Sequence, residues 1–198
     1  MKTIIFDMYG VILKDPDGNL MPFLNSVLPE LTPTEVYRHW APADIGAMTS
    51  LDFFKNLGFE GDLAKIEKEY LDTIEIDEAF FQAAQSLKAR YRLALLSNDL
   101  SEWSRYLREK FSINSLFDTV VVSGDVKLKK PDPEIFNLIL KKLSCPASDC
   151  IFVDDRRKNL DAAQALGMEV ILFNSRNVPY DGKTANDFNE LTDMLLNS

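Results

Sequence analysis

Residues 4–12 read IIFDMYGVI. An apolar, β-branched run that begins at Thr3 ends on a carboxylate, Asp7, and Tyr9-Gly10 follow at once. A strand buried on both faces has this continuous apolar composition, as in a parallel sheet. Four further stretches share it: 92–96 (RLALL), 119–122 (TVVV), 150–153 (CIFV) and 169–173 (EVILF). Between them the apolar spacing becomes helical, over 102–111, 133–143 and 159–166. Pro133 stands near the start of the second helix, and Gly167 takes the capping place after the third. Strands alternating with helices predict an α/β fold, an open parallel sheet.

Residues 14–82 break the alternation. They offer no strand, but helical patterns at 22–27, 33–39, 50–57 and 63–72. The expected division is a core of 1–13 and 83–198 with a helical cap of 14–82. Such a cap would cover the carboxyl ends of the strands, where open α/β sheets bind ligands.

At 198 residues, with 46% apolar and 27% charged residues, the chain has the make-up of one globular domain carrying an insertion. It holds 31 acidic and 22 basic residues, for a net charge of −9. With no basic block to offset this, nucleic acid is not an expected partner. A small anion remains admissible, because only the local field at a site matters. No run is long enough to span a membrane, and the short apolar start is followed by Asp7 rather than by a signal-peptide pattern. A cytoplasmic monomer or homodimer is the expectation. Cys145 and Cys150 lack zinc-site spacing and lie far from His39, the one histidine, so they read as small packing residues.

The strand ends carry the chemistry. Asp7 ends the first strand, Ser97-Asn98 the second and Asp154-Asp155 the fourth. A parallel sheet puts all of them at one edge. Three crowded carboxylates repel, so the cluster calls for a cation. Oxygen ligands without His or Cys point to a hard ion such as Mg²⁺. The stretch KLKKPDPEIF supplies Lys127, Lys129 and Lys130, stiffened by Pro131 and Pro133. Lys127 and Lys129 read as a solvated turn, and Lys130, beside the first proline, as the functional lysine.

Four motifs in this order, FDMYGV, LLSN, KKPDPEIF and FVDDRRKNLDAA, are similar to those of the haloacid dehalogenase-like hydrolase superfamily. Within it the chain resembles the sugar-phosphate phosphatases with a helical cap. The resemblance covers nearly the whole length and implies a Rossmann-like core. It implies that Asp7 is a nucleophile forming an aspartyl-phosphate. Ser97 and the N–H groups of Met8, Tyr9 and Asn98 would hold the phosphoryl oxygens. Lys130 would neutralise Asp7 and the phosphate. Asp7, Asp154 and the Tyr9 carbonyl would hold Mg²⁺, with Asp155 in support, and Asn159 would brace that loop. The implied substrate is a small phosphorylated molecule.

Tyr9 departs from the pattern. Most phosphatases of the family carry a second Asp there, which protonates the leaving alcohol, though some of the sugar-phosphate subgroup lack it, whereas the dehalogenases carry Tyr-Gly. The acidic pair Asp154-Asp155 opposes the dehalogenase reading, and Arg38 is only a loose match to the halide-holding arginine. The presence of Asp7, Lys130 and Asp154 opposes a non-catalytic regulatory domain. For specificity, the expected residues are Asp44, Ile45, Gly46, Ala47 and Met48, whose apolar members do not suit a hydrophilic sugar. His39, Trp40 and Trp103 read as packing residues.

Overall fold

Side chains alternate across each strand, so Ile4 and Phe6 of the first strand face one way and Ile5 the other. Both faces are apolar, which only a sheet covered on both sides can accommodate. In the computed structural model, residues 1–15, 17 and 19–197 are described. Among them, six strands form one parallel sheet: β1 (Thr3–Phe6), β2 (Arg92–Ser97), β3 (Thr119–Val122), β4 (Cys150–Asp154), β5 (Glu169–Phe173) and β6 (Thr184–Ala185). Their order is β3-β2-β1-β4-β5-β6. The tips of β2, β1 and β4 are therefore neighbours, and the order reverses beside β1, where ligands bind in sheets of this kind.

Five helices lie between β1 and β2, the first four being α1 (Leu20–Val27), α2 (Pro33–Ala43), α3 (Ser50–Asn56) and α4 (Leu63–Asp72). Each of α2 and α3 starts on a reciprocal cap, Thr32 with Glu35 and Thr49 with Asp52. Next come α5 (Ala79–Leu87), α6 (Ser101–Lys110), the short α7 (Ser123–Val126), α8 (Pro133–Leu143), α9 (Arg157–Ala165) and α10 (Phe188–Leu196). Helices α5, α6 and α10 cover the face of Ile4 and Phe6, and α8 and α9 cover the face of Ile5. The expected core boundary at 82/83 falls inside α5, whose Phe80 meets Phe6 edge-on and packs on Phe188 of α10. No helix is long and apolar enough to cross a membrane among the described residues.

The helical insertion is fastened to the core by aromatic packing. Trp103 of α6 meets Trp40, Phe53, Phe54 and Tyr70 of the insertion with ring centroids 4.7–5.9 Å apart. Its indole N–H donates to Glu67 at 2.6 Å, which satisfies the one polar group it buries. A second fastening is backbone to backbone. After α2 the chain turns at Gly46, with φ +64°, against the carbonyl of Gly124, so close that a Cβ there would lie 2.1 Å from that oxygen. Cys145 and Cys150 meet beneath the sheet with their sulfurs 3.4 Å apart, both as free thiols.

Candidate active site

Asp7 leaves β1 with its N–H still bonded to Val153 of β4, so the nucleophile position is continuous with the sheet. The chain then reverses in a tight turn. Gly10 takes φ +75°, and Ile12 and Leu13 donate back to the Met8 carbonyl. Asp7, Asp154 and Asp155 are all buried, and each offers an oxygen within 4.8 Å of the others. Lys130 is the buried cation among them: its Nζ lies 2.7 Å from Asp7 Oδ1 and 2.8 Å from Asp154 Oδ2. Asn98 holds the backbone of Lys130 on both sides, accepting from its N–H at 2.8 Å and donating to its carbonyl at 2.9 Å. Asn159 Nδ2 donates to both Asp154 oxygens at 3.0 Å, and the Arg156 N–H donates to Oδ1 at 2.8 Å. Asp155 is held by Arg176, which also reaches Asp17.

Charge in this cluster is not balanced by side chains alone. Burial pushes the Asp7 carboxyl up to about 8, against the pull of Lys130 and with the push of Asp154 and Asp155. Burial and the Asp154 charge likewise raise Asp155, with Arg176 opposing. For Lys130, burial favours the neutral amine, but the ion pairs with Asp154 and Asp7 win and its pKa rises. The donor set is oxygen only, and one Asp155 oxygen is buried without a hydrogen-bond partner. These residues fit a hard divalent cation. Ser97 Oγ is also buried with no partner, which leaves its hydroxyl free for a ligand oxygen.

Several expected residues sit elsewhere or act differently. The Met8 N–H donates to Asp7 Oδ1 at 2.7 Å, and the Met8 side chain is buried. The Tyr9 ring lines the cavity above Asp7, but its hydroxyl is buried beside Asp99 without completing a bond of normal geometry. Burial and the Asp99 charge hold that phenol well above its ordinary value, so it cannot serve as a base. Of residues 44–48, Asp44 alone lines the cavity; Gly46 is occupied in docking onto Gly124. Lys129 is not merely solvated: it reaches Asp44 Oδ2 at 3.3 Å, while Ser123 donates to Asp44 Oδ1 at 3.1 Å. Lys127 is exposed. Arg176 and Ser123 were not anticipated. Each lies just past a strand of the same sheet, β5 and β3, and that position was the available signal.

A family model described as haloacid dehalogenase-like hydrolase matches residues 1–167. A sesquiterpene phosphatase of Aspergillus oryzae is 27% identical over 173 residues, 84% of this chain and 87% of that protein. A D-ribitol-5-phosphate phosphatase of Bacteroides thetaiotaomicron is 27% identical over 188 residues, 85% and 90% of the two. A drimenol cyclase of Aspergillus calidoustus is 25% identical over 89% of this chain, which spans only 34% of that longer protein. Among solved structures, the magnesium complex of a haloacid dehalogenase family enzyme from Bacteroides thetaiotaomicron superposes with a TM-score of 0.79 at 19% identity, covering 96% and 98% of the two chains. An L-2-haloacid dehalogenase superposes at 0.74 with 16% identity and 98% of each chain covered. At these identities the solved structures establish the fold alone. The family match over most of the chain establishes more: this protein belongs to the haloacid dehalogenase-like hydrolases.

Proposed function

We propose that this hydrolase is a Mg²⁺-dependent phosphomonoesterase working through an aspartyl-phosphate at Asp7. The observation that carries the reading is the buried trio Asp7, Asp154 and Asp155, more carboxylate than Lys130 can neutralise. Asp7, Asp154 and the Tyr9 carbonyl would hold the metal, with Asp155 in support. When bound, Mg²⁺ would supply positive charge to the phosphoryl oxygens and to Asp7. Residues 14–82, with α1–α4 at their centre, would serve as the cap over the core.

The residues divide the work as phosphoryl transfer requires, into positioning and charge stabilisation. Lys130 and the Met8 N–H hold Asp7 Oδ1, leaving Oδ2 to attack phosphorus in line. The bond from phosphorus to the alcohol oxygen breaks, and that oxygen takes a proton from solvent. Water then attacks phosphorus, the bond from phosphorus to Asp7 breaks so that its carboxylate leaves, and the proton of the attacking water passes to solvent. Ser97 Oγ donates to a phosphoryl oxygen in both steps. Asn98 fixes the Lys130 backbone, and Asn159 fixes the face of Asp154.

Relatives are named for a sesquiterpene phosphatase and a sugar-alcohol phosphatase, so kinship supports phosphomonoesters as a class and leaves the organic part open. The dehalogenase alternative rests on Tyr9-Gly10, and Arg38, the loose match for its halide ligand, does not line the cavity. The test pairs two assays on one preparation. Phosphate release from para-nitrophenyl phosphate should need Mg²⁺ and vanish in Asp7→Asn, and chloride should not be released from 2-chloropropionate. Chloride release that survives EDTA would reverse the assignment.

A further inference from the structure

The cavity over Asp7 and Lys130 has a volume of about 820 Å³, far more than a phosphoryl group needs and within the range of sites for drug-sized ligands. Its floor is polar and belongs to the strand tips. Its upper wall comes from the insertion and has a different character. Pro33, Val36, Tyr37 and Trp40 recur along α2 at helical spacing and all line the cavity. Leu20 and Met21 of α1 face it as well.

The polar residues that the insertion brings to the cavity are Asp15, Asp17, Asn19 and Asp44, with Tyr37 and Tyr70, and none of them is basic. Among the described residues, no Lys, Arg or His from 14–82 lines the cavity. Asp44 does, but both of its oxygens are engaged, by Ser123 and Lys129. Asp17 lies at the mouth and is held by Arg156 and Arg176. A polyol closed against the α2 face would lose water contacts with few groups there to replace them, at a cost for each unpaired hydroxyl. An apolar group would instead cover Tyr37, a large side chain that lines the cavity and is 63% exposed.

We infer that the site takes phosphomonoesters whose organic part is a large apolar group, aliphatic, isoprenoid or aryl. This rests on the phosphomonoesterase reading for its reactive end and on the wall of α1 and α2 for the rest.

The test holds the leaving group constant and varies only length. Phenyl, 4-butylphenyl and 4-octylphenyl phosphates present nearly the same phenol, so their kcat/KM values compare burial rather than leaving ability. Complete burial of a methylene is worth about fourfold. With one side of the cavity open, about twofold per methylene is expected, measured below the micelle-forming concentration. Ribitol 5-phosphate should be slower than the octyl compound. In Met21→Glu/Tyr37→Glu the gain with length should collapse. A flat or falling series in the wild type, a preference for the polyol phosphate, or an unchanged slope in the double variant would each overturn the inference. If no phosphate is released from any compound, calorimetric binding of the same series decides. Affinity that rises with length and loses that rise in the double variant sustains the apolar site while refuting the phosphomonoesterase reading. Length-independent affinity refutes the apolar site itself.

Discussion

Gly46→Ala tests how the insertion is seated on the core. At φ +64° a β-carbon costs about 1–2 kcal/mol of backbone strain. It would also lie 2.1 Å from the Gly124 carbonyl oxygen, well inside contact distance. Gly124 cannot retreat, because its own backbone is packed against Ser101 and the Asp99 carbonyl. Overpacking of this kind typically costs about 1–3 kcal/mol. The total is about 2–5 kcal/mol. Gly58→Ala is the control: φ is +91°, and nothing lies within 4 Å of the added carbon. It carries backbone strain alone, about 1–2 kcal/mol. Urea unfolding of both variants, at unchanged m, should place Gly46→Ala below Gly58→Ala by about 1–3 kcal/mol. Its kcat/KM should fall too, since Asp44 in the same turn bonds Ser123 and Lys129. Equal losses of stability in the two variants would refute the close seating.

Other consequences follow from the charge cluster. Lys130→Met leaves the buried carboxylates of Asp7 and Asp154 without their ammonium, so metal-free stability should fall by about 3–5 kcal/mol, with part regained on adding Mg²⁺; thermal shifts with and without the ion measure both, and indifference to Mg²⁺ would contradict the shared site. Asp154→Ala should lose Mg²⁺-dependent turnover, which direct phosphate assays read, and retained activity would remove Asp154 from the metal site. Burial holds Asp99 well above the ordinary carboxylate range, opposed by the Leu100 N–H and helped by the Asp44 charge. The folded state then binds more protons than the unfolded chain. That contribution is complete below the unfolded value of about 3.9 and is lost as pH rises toward the folded value. Asp99→Asn keeps the acceptor for Leu100 but cannot ionise, so its urea midpoint should gain on the wild type as pH climbs from about 4 toward neutrality; parallel curves would refute a neutral Asp99.

The core was legible because its signals are local. Strands buried on both faces are continuous apolar runs, and β1, β3 and β5 have the bounds read from composition. Asp7, Ser97, Lys130 and Asp154 could be placed together because parallel strands share an edge. Helix α5 was missed because Glu78 makes no capping bond, and β6 because two residues carry no period. The rest of the cavity wall was not legible for a deeper reason. The turn at 44–48 looked like the specificity loop, but the face that meets the cavity is set by where the insertion docks, through Trp40 on Trp103 and Gly46 on Gly124. The Lys129–Asp44 pair spans 85 positions of sequence and depends on that same docking.

The most direct test of the central claim is a single turnover in heavy-oxygen water with Mg²⁺ and an aryl phosphate. An aspartyl-phosphate is opened by water at phosphorus, so the account predicts label in the released phosphate, none in Asp7, and an acid-trapped phosphoryl group on Asp7 alone. Label in the Asp7 carboxylate, with no phosphoryl group trapped there, would mean that water attacks a carboxylic ester carbon instead, and would contradict it.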